Sequence, residues 1–146
     1  MTVLQFAARF ALGGIFLVFA ADYAFHFLPE LPFTDAGGRY LEALLATGFM
    51  FPLIKSVEVT GALLIIDGRF APLGLLIVAP VVLNIALYHM VLDPNGSIVA
   101  SVLVVAELFL LWRYRAAYRS LFTSRPIAAS AAVAAGPAAH PAPAGS

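Results

Sequence analysis

The sequence contains no cysteine, which excludes disulfides, thiolate metal sites and any dithiol relay carried by this chain alone. Electrons handled here would need an external cofactor. Charge is scarce as well: eight basic and eight acidic residues make up 11% of the 146, for a formal net charge of zero. Nothing resembles the basic surface that nucleic acid requires, so no nucleic-acid partner is expected. Also missing are a phosphate-cradling glycine loop, a nucleophile elbow and the close His/Asp/Glu spacing of a metal centre. No lipidation motif or internal repeat is evident. What is abundant is apolar: 62% of the residues are hydrophobic, more than a soluble domain of this length could bury. That composition points to the lipid bilayer as the chain's solvent.

Four apolar stretches of roughly twenty residues, the length of a membrane span, fill most of the chain as far as Arg113. The expected fold class is all-α: a polytopic membrane four-helix bundle within residues 1–122, with spans at about 3–27, 49–66, 70–92 and 97–118. The first stretch carries Arg9 near its start and continues past Ala21 without a small-residue cleavage site, so it is read as a span and not a cleaved signal. Pro29 and Pro32 stop it. Thr34-Asp35 then offers an N-cap for a short amphipathic helix, about 34–47, which is too short to span and is expected at the interface. Asp67-Gly68-Arg69 with Pro72, and Asp93-Pro94-Asn95-Gly96, read as tight turns that make spans two, three and four antiparallel neighbours. Ser97 is a candidate N-cap for the fourth span. Trp112, Tyr114 and Tyr118 suit an interfacial belt. Residues 123–146, mostly Ala, Pro, Gly and Ser, read as a flexible tail with no apolar face.

Acidic residues dominate from Asp22 to Glu42, whereas Arg113, Arg115, Arg119 and Arg125 follow the last span. In a four-span arrangement these arginines share a side with Arg9 and Arg69, so the positive-inside rule places both termini in the cytoplasm. The expected location is the bacterial inner membrane, and the expected partner is first of all the lipid itself.

Ionisable groups inside spans are the best guide to function, because a charge in hydrocarbon is expensive. At a rise of about 1.5 Å per residue, Asp22 and Lys55 lie about 8 Å from the outer helix ends, Glu58 and Asn84 about 12 Å, and Glu107 about 15 Å. Their expected convergence in the outer half of the bundle defines a polar pocket lined by Asp22, Lys55, Glu58, Asn84, His89 and Glu107. Each residue carries two readings. Lys55 and Glu58, three apart, are either a paired charge that fixes helix rotation or the working centre of a pocket that holds a polar head group or moves a proton. Glu107, with no cation within four residues, is either a proton acceptor or a neutral acid hydrogen-bonded to a helix. Asn84 is either glue between helices or a pocket donor. His26 and His89 sit at span ends, where imidazole meets water, and His89 lies about 140° around its helix from Asn84. No metal site is expected from them. Gly13-Gly14 and Gly61-Ala62 permit close helix approach.

The runs Val57-Glu58-Val59-Thr60-Gly61-Ala62-Leu63-Leu64 and Gly68-Arg69-Phe70-Ala71-Pro72-Leu73, followed by Asn84-Ile85 and His89, resemble the DoxX-like family of small four-span bacterial membrane proteins. The resemblance covers roughly residues 5 to 120. Glu58, Gly61, Arg69, Asn84 and His89 match the family's recurring polar and glycine positions, none of them a settled catalytic residue. The resemblance implies a four-helix bundle and an association with membrane redox chemistry, since relatives include a subunit of a thiosulfate:quinone oxidoreductase and a partner in oxidative-stress complexes. The resulting expectation is an accessory or quinone-linked component of a membrane oxidoreductase system, with quinone and other redox subunits as partners and no self-contained catalytic motif. The alternative is a non-enzymatic membrane protein that binds or transports a small solute or scaffolds a partner.

Overall fold

The computed structural model describes residues 2–29 and 32–122, and the expected tail of residues 123–146 lies outside them. The described residues are helical: α1 (Val3–Phe25), α2 (Asp35–Ala46), α3 (Met50–Asp67), α4 (Ala71–Leu87) continued by a π-helical turn (Tyr88–Leu92), a 3-10 turn (Pro94–Gly96), α5 (Ser97–Arg113) and a final 3-10 turn (Arg119–Phe122). Helices α1, α3, α4 and α5 form a closed ring in which α1 packs on α3, α3 on α4, α4 on α5 and α5 on α1. We call the end holding Val3, Asp67, Ala71 and Arg113 the amino end, and the opposite one the distal end.

The ring is built inside out relative to a soluble bundle. Leu12, Phe16, Ile65, Leu75, Val78 and Leu110 fill its axis, yet Phe6, Phe10, Leu63, Leu83, Val105 and Leu108 face outward, while Gln5, Arg9, Glu58 and Glu107 are buried. An apolar exterior around polar interior groups is what hydrocarbon solvent selects. Val3–Phe25, Ala71–Leu92 and Pro94–Arg113 are each long and apolar enough to cross a membrane; α3 joins them as a fourth span if it is counted with α2, from which it is bent by 94°. On its own α3 is 18 residues long and carries Lys55, Glu58 and Asp67.

Lipid tails are as apolar as leucine, so packing must come from close contact and not from expulsion of water. At the α3–α4 crossing two glycines supply it: a Cβ built on Gly74 would stand 2.7 Å from the Gly61 carbonyl oxygen, and one built on Gly61 would strike Val78. Gly13 similarly lies against Ile66 and the Ala62 carbonyl, whereas Gly14 faces open space.

Helix ends depart from the sequence expectation for definable reasons. The first span stops at Phe25, not 27, because His26 adopts a left-handed conformation (φ 52°) and the Asp22 carboxylate accepts hydrogen bonds from the amides of Phe27 and Leu28 (3.0 and 2.7 Å). The fourth stops at Arg113, not 118, where Tyr114 turns out of the helix. Ser97 is the first residue of α5 and does not cap it; Gly96 occupies the cap, and the Asp93 side chain instead caps the preceding 3-10 turn. Thr34 caps α2 as expected, its hydroxyl accepting from the Gly37 amide.

Candidate functional site

The polar groups form three separate centres. The first lies on α3, where Lys55 Nζ donates to Glu58 Oε2 at 2.8 Å. A separation of three residues puts the two side chains one turn apart, and α3 rotates so that the carboxylate is the buried partner: the Glu58 side chain is 4% exposed and that of Lys55 19%. The cation thus reaches the bundle surface while the acid stays inside. The pair can present an N–H donor to a carbonyl arriving from outside, with an acid directly behind it.

The second centre closes the distal end. Helix α2 lies over it, held by Tyr40, whose hydroxyl stands 3.1 Å from Asn84 Oδ1 and 2.9 Å from Asn84 Nδ2. The Thr34 hydroxyl donates to the Leu92 carbonyl at 2.6 Å. Beneath α2, the π-helical turn brings the Tyr88 hydroxyl to Asp93 Oδ2 (3.4 Å) and His89 Nδ1 to the Asp93 carbonyl (2.7 Å). Asn95 extends the network, donating from its side chain to the Pro32 carbonyl at 2.7 Å. Two of these bonds satisfy the Leu92 and Asp93 carbonyls, which the change of helical pitch leaves open.

The third centre lies toward the amino end. Gln5, Arg9, Leu12 and Phe16, spaced four, three and four apart, share the buried face of α1. Arg9 Nε donates to the Ile65 carbonyl at 2.7 Å, and an Nη of the same guanidinium donates to the Ile66 carbonyl. The arginine therefore caps the C-terminal end of α3, where unpaired carbonyls and the negative end of the helix dipole both favour a cation. Its guanidinium occupies the space where a side chain on Gly68 (φ 82°) would stand. Arg113 Nη2 reaches Gln5 Oε1 at 3.4 Å, and the Tyr118 hydroxyl donates to the Pro72 carbonyl at 3.0 Å. Glu107 stands in the half of α5 nearer the amino end, with 3% exposure. Among the described residues neither of its oxygens has a hydrogen-bond partner.

Of the six residues expected to line one pocket, then, the hydrogen bonds join only Lys55 and Glu58. Asn84 turns to Tyr40, Asp22 binds the end of its own helix, and His89 pairs with the Asp93 backbone. Glu107 lies in the other half of the bundle: with α5 ending at Arg113, it is about 15 Å from the distal end of its helix and about 9 Å from the amino end. Arg9, Gln5, Tyr40 and Asp93 were the polar residues missed. For Arg9 a signal existed, since its spacing from Leu12 and Phe16 puts it on their face; reading it as a topology charge hid that.

Two surface hollows accompany these centres. One, about 400 Å³, runs between α1 and α5 and is lined by Phe10, Gly14, Val18, Ile98 and Val102 among other apolar residues. The other, about 390 Å³, lies at the start of α2 beside Asp35, Arg39 and Glu42. Neither is lined by Lys55 or Glu58.

No family model matches the chain, and no solved structure does. It is similar to "Uncharacterized protein YwoB" of Bacillus subtilis (strain 168), with 33% identity over 70 residues. The match takes in 48% of this chain and 46% of that protein. The chain thus matches just under half the length of this curated relative.

Proposed function

We propose that this is a DoxX-like integral membrane protein of the bacterial inner membrane, with four spans and both termini cytoplasmic, that serves as an accessory, quinone-linked component of a membrane oxidoreductase system. The observation that carries the reading is the Lys55–Glu58 pair. A quinone head group needs a hydrogen-bond donor for its carbonyl oxygen and an acid that exchanges protons as it is reduced, and a half-buried ammonium with a buried carboxylate behind it supplies both. The quinone would approach Lys55 at the bundle surface, where its side chain is 19% exposed. Electrons would need an external cofactor or a partner subunit, since a chain without cysteine carries no thiolate cluster or dithiol relay.

The test is the amount of quinone that copurifies with detergent-extracted wild type and with Glu58→Gln, normalised to protein and to copurified phospholipid. Enrichment in the wild type that falls in the variant supports the reading; equal, lipid-proportional amounts in both refute it. Topology is tested separately. In a cysteine-free chain, Thr47→Cys should react with an impermeant thiol reagent only from the periplasmic side, and Ala116→Cys only from the cytoplasmic side.

A second reading, a non-enzymatic scaffold or solute-binding protein, is favoured by the charged hollow on α2. Asp35, Arg39 and Glu42 border it, and charged side chains at a membrane surface suit a protein partner or a polar solute. Loss of a copurifying partner on Arg39→Glu, with quinone content unchanged, would select it.

A further inference from the structure

We propose that Glu107 is a proton-binding site of the bundle, independent of Lys55–Glu58 and reached from the amino end. The carboxyl is 3% exposed, stands on the buried face of α5 among Leu103, Ala106 and Leu110, and has both oxygens without a hydrogen-bond partner among the described residues. Water would satisfy an ionised carboxylate with several hydrogen bonds. A buried carboxylate that lacks them is strongly disfavoured, and binding a proton is the cheapest way to remove the charge.

The surroundings define the route. Toward the distal end the buried face of α5 continues through Leu103 and Ala100, which offer a proton nothing; the ionisable Tyr88 and His89 belong to the π-helical turn packed against the far end of the helix, and both are engaged with Asp93. Toward the amino end it meets polar groups from each neighbouring element that carries them. From α1 these are Gln5 and Arg9, both buried; Arg9 directs two of its donors to the end of α3. Arg113 belongs to α5 itself and holds Gln5. Tyr114 and Tyr118 come from the segment after α5, and the Tyr118 hydroxyl donates to the Pro72 carbonyl. Helix α4 has no ionisable residue between Ala71 and Leu87, and the ionisable residues of α3, which stands across the ring, are Lys55, Glu58 and Asp67. Glu107 is about 9 Å from the amino end of its helix, the end at which Gln5, Arg9 and Arg113 lie.

The proposal concerns a proton and not a metal: no group of three His, Asp or Glu residues able to hold a metal ion occurs among the described residues. It requires no reaction at Lys55–Glu58, so the two readings stand or fall separately.

Dicyclohexylcarbodiimide tests it, because this apolar reagent enters bilayers and needs a protonated carboxyl. The acid O–H adds across one C=N bond and the product rearranges to a stable N-acylurea, with no leaving group and no oxidant. The full chain in sealed vesicles should acquire one adduct by intact mass at Glu107, more slowly as pH rises on the amino-end side and indifferently to pH on the other side. Glu107→Gln should abolish the adduct and Glu58→Gln should keep it. Circular dichroism and thermal unfolding of Glu107→Gln verify that the isosteric variant folds; if it does not, peptide mapping of the wild-type adduct decides the same point. An adduct that persists in Glu107→Gln or maps elsewhere overturns the proposal, as does a wild type that remains unlabelled at acid pH. Protection by sodium at constant pH also overturns it, in favour of a cation site.

Discussion

Replacing Gly74 by alanine adds one methyl at the tightest crossing of the bundle. The new Cβ would stand 2.7 Å from the Gly61 carbonyl oxygen, 2.9 Å from Ile65 Cγ1 and 3.0 Å from the Ile65 amide nitrogen. Ordinary carbon contacts lie at about 3.5–4.0 Å, and two of the three obstacles are backbone atoms that no rotamer change can move. Helices α3 and α4 must therefore separate by roughly 0.5–1 Å, a gap that forfeits about a quarter to a half of the dispersion energy of each contact along the seam. Overpacking of this kind costs about 1–3 kcal/mol. The substitution also gains up to about 1 kcal/mol of helix propensity, which would blur a single measurement. Gly14→Ala supplies the control, because it makes the same change inside α1 where nothing lies within 4 Å. The propensity gain is common to both, so the difference between them isolates the packing cost. We expect Gly74→Ala to be less stable than Gly14→Ala by about 1–3 kcal/mol when mixed micelles of increasing SDS content are followed by circular dichroism. Equal stability of the two variants would refute the close crossing.

Three further outcomes follow from the polar centres. Arg9→Met leaves the Ile65 and Ile66 carbonyls without their donors, at about 1–3 kcal/mol for each group so stranded; Arg9→Lys should recover only part of the loss, since an ammonium lacks the guanidinium's fixed fork, and the same SDS titration measures both. Lys55→Met isolates a buried carboxylate and should cost about 3–5 kcal/mol, whereas Lys55→Met combined with Glu58→Gln should recover most of that; a double variant no better than the single one would mean that the pair is not coupled. Tyr40→Phe cuts the tie between α2 and Asn84 at about 0.5–1.5 kcal/mol, visible as faster amide exchange in Asp35–Ala46 with α1 and α5 unchanged.

The expected spans overlap α1, α3, α4 and α5, and the expected short helix overlaps α2, because apolar periodicity and turns are local signals. Thr34 caps the start of α2 through the amide three residues on, and α3 breaks after Asp67 at Gly68, which takes the left-handed conformation. The ends that were displaced depend on backbone detail that composition does not encode: the left-handed His26 closes α1 early, and the π-helical turn at Tyr88–Leu92 shifts the network around Asp93. The candidate site was legible where it is local, as in the Lys55–Glu58 pair. It was illegible where a partner comes from another element. Asn84 could meet any residue at its depth, and the choice of Tyr40 depends on α2 folding over the distal end. Depth along α5 depended on its far end, and five residues fewer there moved Glu107 from the outer half to the other.

Polar side chains in a bundle that water does not hold together must either return packing energy or serve another purpose. Arg9 returns it by closing α3 through a buried hydrogen bond, Asp22 by closing α1, and Asn84 by fixing α2. Lys55 and Glu58 offset one another, but two well-packed apolar residues would do as well or better in a low dielectric. Glu107 returns nothing: its oxygens bond to no described group, and leucine would fill its place among Leu103, Ala106 and Leu110 at no electrostatic cost. Stability accounts for the first three residues without appeal to function. For Lys55, Glu58 and above all Glu107 it does not, and the chemistry of this protein is to be sought at those three.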